Sequence, residues 1–431
     1  MKIRLCLLAV LILASQMSGQ EQVAKTGFSF GGVPAIAYNS DAGWTYGLIV
    51  NTYNYGDGSM YPDYRYSLYT EWSRTTGGGG VNKLFFDSKY LMPKDIRITS
   101  ELSYLTEAML PFYGLNGASA EYRPGFESED STTAYISRAY YRHLRNTVKF
   151  TADFQRKFMS DNLRWIGGFG FLNTDVDTVD VAAFNEGKDA VDQLPVVDGL
   201  YAEYRDKGWI GADEAKGGKT NYVKFGLVYD TRDNESNPMS GLWAEGLVTV
   251  VPEALGSDFS YTTLTLTHRQ YFTIIPKDLS FAYRLGYQSV VSGRAPFFML
   301  PYYQSSYQVT EGLGGSKSLR GILKNRIVGK SVAFANLEAR WKFYRTVIFN
   351  QNLYLALNGF MDAGKVLANQ PIADGGNPVG YPDGSDTLHK SFGGGLRIAL
   401  NENFIVAVDK GFAGDEADGT SGLYIGLGYL Y

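Results

Sequence analysis

Cysteine is all but absent: one residue, Cys6, in a chain of 431. That excludes a disulfide scaffold and a Cys-ligated metal centre. Histidine is nearly as scarce, and His143, His268 and His389 lie far apart, with no pair at metal-ligand spacing. Charge is thin as well, with Asp, Glu, Lys and Arg making up 19% of residues, against roughly 25% in an ordinary soluble domain. The 40 basic and 44 acidic residues leave a net charge of −4, a mildly acidic balance that argues against nucleic-acid binding. Long apolar runs are missing too. The longest, Leu5–Ala14, is about half of the roughly 20 residues a helix needs to cross a bilayer, so a helical membrane protein is excluded.

That run has the character of a signal peptide. Lys2 and Arg4 form a short positive start, the apolar stretch follows, and Ser15, Ser18 and Gly19 lead out of it before Gln20. The expectation is a leader over 1–19, a short periplasmic segment over 20–26 and an exported chain. Cleavage removes Cys6, Lys2 and Arg4, so 38 basic residues face 44 acidic ones and the net charge becomes −6.

Aromatics and glycine are abundant: 15% Phe, Trp and Tyr, and 50 Gly. From about residue 27 the dominant pattern is alternation with period two. In Val332–Phe343, residues Ala333, Ala335, Leu337, Ala339, Trp341 and Phe343 share one face, and Phe334, Asn336, Glu338, Arg340 and Lys342 the other. At the C-terminus Leu423, Ile425, Leu427, Tyr429 and Tyr431 alternate with Gly422, Gly426 and Gly428. One greasy face and one small or polar face suit a wall between lipid and a lumen. The pattern predicts strands at 27–38, 44–54, 62–75, 79–90, 95–107, 135–157, 163–176, 220–231, 241–252, 258–272, 278–292, 331–343, 352–364, 389–400, 403–411 and 422–431. Asn146 is the one residue placed to turn a hairpin inside a strand. With both termini periplasmic, the connections 109–134, 177–219, 293–330 and 365–388 lie outside the cell, and the turns 158–162, 273–277 and 401–402 lie inside. A short helix is expected near Asp189–Lys207. The fold class is therefore all-β, a 16-stranded antiparallel transmembrane barrel over 27–431 of a Gram-negative outer membrane. The two or three domains that length alone suggests become one.

Three segments carry more than alternation. Tyr229-Asp230-Thr231-Arg232-Asp233-Asn234 runs a strand end into a turn closed by Asn237, Pro238 and Gly241. Gly314-Gly315-Ser316-Lys317-Ser318-Leu319-Arg320-Gly321-Ile322 lies in the long loop 293–330; it is no phosphate loop, which needs Gly directly before Lys and a helix after it. Phe360-Met361-Asp362-Ala363-Gly364 ends a strand with Asp362 on the same face as Asn358, as Glu338 and Arg340 are on the strand before.

These segments, in this order beside a C-terminal aromatic strand, resemble the BamA/TamA family of outer-membrane barrels, the bacterial surface antigen type, most closely from about residue 221 to Tyr431. The resemblance implies an inward-folded sixth extracellular loop. Arg320 and Gly321 would form its tip, with Ile322 where the family usually has an aromatic, and Glu338 and Asp362 would be its lumen partners. It also implies a seam between the first and last strands, where Pro34, Gly426, Gly428 and Tyr431 fall. About seven residues separate Gln20 from the first strand, which leaves no room there for POTRA domains. The implied role is non-enzymatic: assisting outer-membrane protein or lipid insertion or translocation through the β1/β16 seam. Implied partners are outer-membrane lipids, outer-membrane protein substrates and a separate periplasmic or lipoprotein partner. Two readings stand beside it. One is a passive or substrate-selective channel lined by Arg65, Glu71, Arg97, Glu101, Lys149, Glu338 and Arg340; the other is a structural subunit of a larger outer-membrane complex. No Gly-x-Ser-x-Gly elbow is present. The acidic stretches Asp175–Asp180 and Asp415–Asp418 read as solvated loop charges or a weak calcium site, and no cofactor or structural metal is expected.

Overall fold

The computed structural model describes residues 26–431 apart from 41, 60–63, 89–95, 130–133, 236, 307–308, 349–350 and 401–403. The leader and all but the last residue of segment 20–26 lie outside the described residues, as does the turn at 401–402.

Sixteen antiparallel strands form the wall: β1 (Phe28–Asn39), β2 (Gly43–Asn54), β3 (Tyr66–Thr75), β4 (Gly79–Ser88), β5 (Arg97–Pro111), β6 (Arg142–Phe158), β7 (Ser160–Asp177), β8 (Tyr222–Asp230), β9 (Gly241–Val251), β10 (Tyr261–Ile275), β11 (Leu279–Gly293), β12 (Ser331–Ile348), β13 (Gln351–Ala368), β14 (His389–Leu400), β15 (Phe404–Ala413) and β16 (Ser421–Leu427). Each pairs with its chain neighbours, and β16 returns to β1, so the sheet closes. A three-residue strand, Gly217–Lys219, prolongs the outer end of the β7–β8 junction. Closure pairs the strands around the wall and satisfies their backbone everywhere but at the short β1–β16 junction, as a lipid environment favours.

The two strand faces separate as the alternation predicts. On β12, Leu337, Trp341 and Phe343 stand exposed on the outside, while Asn336, Glu338, Arg340 and Lys342 are buried on the inside. Leu357, Met361, Phe392, Phe412 and Leu427 continue the exposed apolar belt around neighbouring strands. A continuous band of this kind is stable facing hydrocarbon and a liability in water.

Several boundaries differ from the sequence reading. The sixth strand begins at Arg142, because Tyr140 and Tyr141 are taken into an aromatic cluster with Tyr113 above the wall; Asn146 makes no hairpin and pairs with Thr106 and Asp175 in register. Strands β12 and β13 are longer than expected, 18 residues each. The helix expected near Asp189–Lys207 is a 3-10 turn at Ala190–Asp192 and a helix, Leu200–Asp206. The last strand stops at Leu427, four residues before the end of the predicted one.

Above the wall the outer connections pack on one another. Phe112, Tyr201, Tyr204, Trp209 and Phe297 form an apolar centre drawn from three loops, with ring pairs such as Phe112–Tyr204 at 5.2 Å and Tyr204–Trp209 at 4.8 Å. This dome roofs the mouth of the barrel on the side of the long connections.

Candidate functional site

The site is built where the loop between β11 and β12 descends along the inner face of β12, β13, β15 and β16. Gly321 sits at its tip with φ of 101°, a conformation costly for any residue with a Cβ. A Cβ there would also lie 2.5 Å from the Phe412 nitrogen, and one on Gly411 would lie 2.5 Å from the Arg320 carbonyl carbon. Two glycines thus let loop and wall backbones touch. The Gly321 N–H donates to the Tyr424 hydroxyl at 3.1 Å.

That approach delivers Arg320 to its partners. Its Nε and backbone N–H donate to Asp362 Oδ2 at 3.0 Å, and Nη2 to Oδ1 at 3.0 Å. Nη1 donates to Glu338 Oε1 at 2.6 Å. The guanidinium lies 3.5 Å from the Phe360 ring centroid, a stacked cation–π arrangement. All three charged groups are buried. Burying charges this way is tolerable only with every partner in place.

The sequence did not single out Asp409, Phe360 as a ring partner, Asn336 or Tyr424 for this site. Asp409 Oδ2 stands 3.7 Å from Arg320 while binding Arg397 at 2.7 and 2.9 Å. Arg340 binds Glu338 at 2.7 Å, so three guanidiniums and three carboxylates neutralise one another. Asn336 ties the loop to the wall, donating to the Ser318 carbonyl at 2.6 Å and to Asp362 at 2.8 Å. Parity could have flagged Asn336, which shares a face with Glu338; Asp409 carries no comparable signal. Ile322 is buried in an apolar cluster with Leu319, Ile327 and Phe334.

The seam is the second element. Among the described residues only Tyr38–Ile425 and Asn39–Tyr424 pair β1 with β16, helped by Ser40 N–H to the Leu423 carbonyl at 3.2 Å and Leu423 N–H to Ser40 Oγ at 2.8 Å. The neighbouring β15–β16 ladder has seven pairs in register. Among the described residues, Phe28–Ala37 of β1 have β2 on one side and no ladder partner on the other. Pro34, opposite Leu48, lies in this free stretch, where it removes a donor. A Cβ on Gly426 or Gly428 would meet nothing within 4 Å.

Tyr431 does not belong to the seam. Gly428 takes φ of 83° and donates to the Ile405 carbonyl at 2.8 Å. That left-handed residue ends the alternation and turns the tail into the lumen. There the Tyr431 hydroxyl donates to the Ala282 and Asn336 carbonyls at 3.2 Å, and Arg340 donates to the Tyr431 main-chain oxygen at 2.8 Å. The Arg340 guanidinium stands 4.4 Å from the Tyr429 ring.

Other candidates fall elsewhere. Lys83 and Lys149 both bind Glu101, at 3.1 and 2.7 Å, and Arg97 binds Asp87 at 2.8 Å, so this side of the lumen carries paired charges. The Tyr229–Asn234 segment is a turn at the end of the wall away from the dome, where Asp230 holds Arg232 at 2.9 Å and Arg164 at 3.0 Å. Asp418 is not a solvated loop charge: His389 bridges it to Asp386 at 2.7 and 2.9 Å, and Arg326 stands 3.6 Å away. Asp386 also accepts the Ala118 and Val366 amides at 2.6 Å. Burial pushes Asp386 up, but His389 and these amides outweigh it and hold the carboxyl below the usual range.

Comparison with known proteins places the chain. Among solved structures it is similar to BamA from Haemophilus ducreyi lacking POTRA domains 1–3, with a TM-score of 0.57 at 15% identity over 94% of this chain and 71% of that one. It is also similar to CdiB from Escherichia coli, with a TM-score of 0.55 at 9% identity over 96% of this chain and 66% of that one. At these identities the likeness is one of fold. The search of curated proteins returned no match. A family model described as the Omp85 superfamily domain matches residues 84–429; with the sixteen-stranded wall in place, the chain belongs to the Omp85 superfamily.

Proposed function

We propose that this Omp85 barrel works without catalysis in the outer membrane of a Gram-negative bacterium, after removal of its leader. In this reading it assists insertion or translocation of outer-membrane proteins or lipids through the β1/β16 seam. The observation that carries the reading is the two-pair junction between β1 and β16 in a wall otherwise laddered along its length. Opening it breaks few hydrogen bonds, while the charge-neutral cluster around Arg320 holds β12, β13 and β15 together beside it. Lipids and extended protein strands are the partners such an opening suits, because an unpaired strand edge satisfies and is satisfied by another backbone. A separate periplasmic partner would deliver them.

The test is a disulfide across an observed pair, Tyr38→Cys with Ile425→Cys. If the seam must open, oxidised cells show slowed growth and altered outer-membrane composition, and reductant restores both. Unchanged growth and composition with the crosslink formed would sink the proposal. The channel reading has less support, since the loops pack into a dome with an apolar centre over one mouth of the barrel.

A further inference from the structure

Outside the neutral cluster at Arg320, the lumen contains cations that form no ion pair among the described residues. Arg269 of β10 and Arg284 of β11 stand directly opposite in register on the inner face, a like-charge pairing that sheets ordinarily avoid. Arg284 donates only to neutral oxygens, Asn336 Oδ1 at 2.8 Å and the Lys317 carbonyl at 3.1 Å. Lys317, from the descending loop, places an ammonium that feels Arg284 as a like charge. Among the described residues neither the exposed Lys317 side chain nor the Arg269 side chain makes a hydrogen bond or ion pair.

The neighbouring carboxylates lie in other contacts. Asp362 and Glu338 hold Arg320, Asp230 holds Arg164 and Arg232, and Glu245 Oε2 accepts from the Ser306 hydroxyl at 2.5 Å and amide at 3.1 Å, while its Oε1 has no hydrogen-bond partner among the described residues. Around the pair, buried donors also stand empty. Trp243, opposite Arg269 on β9, has a buried indole N–H with no acceptor, and so do the Arg269 Nε and the Tyr271 hydroxyl. Trp243 and Tyr271 are themselves 6% and 2% exposed. Guanidinium, indole and phenol donors buried together, beside the exposed Lys317 ammonium, offer an anion with several oxygens several hydrogen bonds at once.

We infer that Arg269, Arg284 and Lys317 form an oxyanion site inside the barrel that takes a phosphate group, either free or on a lipid headgroup. A phosphate monoester fits the inventory: it has three strongly accepting oxygens and nearly two negative charges, and guanidiniums bind it with paired N–H donors. Bound there, it would bridge β10, β11 and the descending loop at Lys317, and would relieve the repulsion between Arg269 and Arg284.

The test uses the full chain purified in phosphate-free detergent at fixed ionic strength. Inorganic phosphate is titrated in one arm and phosphatidic acid, doped into the micelles, in the other; the thermal midpoint is followed. A midpoint that rises with inorganic phosphate assigns the free anion. A rise with phosphatidic acid alone assigns the headgroup. In either case Arg269→Gln and Lys317→Gln should weaken half-saturation by about tenfold or more, as loss of a charged hydrogen-bond partner does. Lys149→Gln, which removes a lumen cation already bound to Glu101, should respond as wild type. Without phosphate, Arg269→Gln should be at least as stable as wild type, which a purely structural arginine would not be. No rise in either arm, or equal rises in wild type and both variants, overturns the proposal.

Discussion

At the scale of single residues, Arg320 concentrates the risk. It is buried beside two buried carboxylates, and removing one member of such a group leaves charge without a partner, at a typical cost of about 3–5 kcal/mol. Arg320→Ala should therefore lower the temperature at which the folded band disappears in heat-modifiable gels and should expose the loop to protease. Arg320→Lys should rescue little, because an ammonium cannot reproduce the paired donors toward Asp362. Unchanged migration and protease resistance would separate Arg320 from barrel stability. Gly321→Ala tests the backbone instead. Its φ of 101° and the Phe412 nitrogen 2.5 Å from a new Cβ should lift the tip off the wall and give the same loop exposure with every charge still present. The strings that hold these residues were legible in the sequence, but their pairing came only from the family resemblance that the strings carry. The third carboxylate, Asp409, was not legible, because its role depends on β15 lying next but one to β13, and nothing in its own neighbourhood says so.

Among the elements, the last strand departs most from its pattern. The period-two alternation runs on to Tyr431, yet the strand ends at Leu427 and Tyr431 is buried in the lumen. A single left-handed glycine makes the difference. Gly428→Val should disfavour that conformation by about 1–2 kcal/mol, keep the tail extended and lengthen the seam ladder. Disulfide formation between Ile36→Cys and Leu427→Cys, the next same-face step of the observed register, should then proceed faster than in the Gly428 background. Equal rates in both backgrounds would mean that Gly428 does not set the tail. The alternation was right about which side chains suit lipid; it had no means of knowing that Tyr431 finds two carbonyl acceptors and two guanidiniums inside.

For the molecule as a whole, the dome and the lumen contents set the expectation for transport. In planar bilayers the barrel should give small, unsteady currents; a large steady conductance would return the open-channel reading. Acid should loosen the dome before it affects the wall. Asp386 is held below the usual carboxylate range by His389 and two amides, so it stabilises the packed loops above the pKa of a free aspartate, roughly 3.9. That contribution is lost as the pH falls through its lower folded value. Protease sensitivity of the 369–388 loop should therefore rise below about pH 4 in wild type. Asp386→Asn should be sensitive already at neutral pH, with a weaker acid dependence. A loop equally protected in both proteins across this range would remove Asp386 from the dome's support.

By itself the sequence determined the class of structure. Alternation marks two-faced strands wherever it occurs, because side chains on a strand point to opposite sides regardless of what surrounds it. Sixteen such runs with short turns on one side and long loops on the other leave a barrel as the solution that buries no unpaired edge. The tertiary structure decided what sequence spacing does not encode: where the alternation stops, which charges neutralise one another and which are left over. Arg269, Arg284 and Lys317 are unremarkable in the string. They become a cluster only when two strands fall into register and a loop comes down between the walls, since electrostatic energy depends on distance through space rather than along the chain.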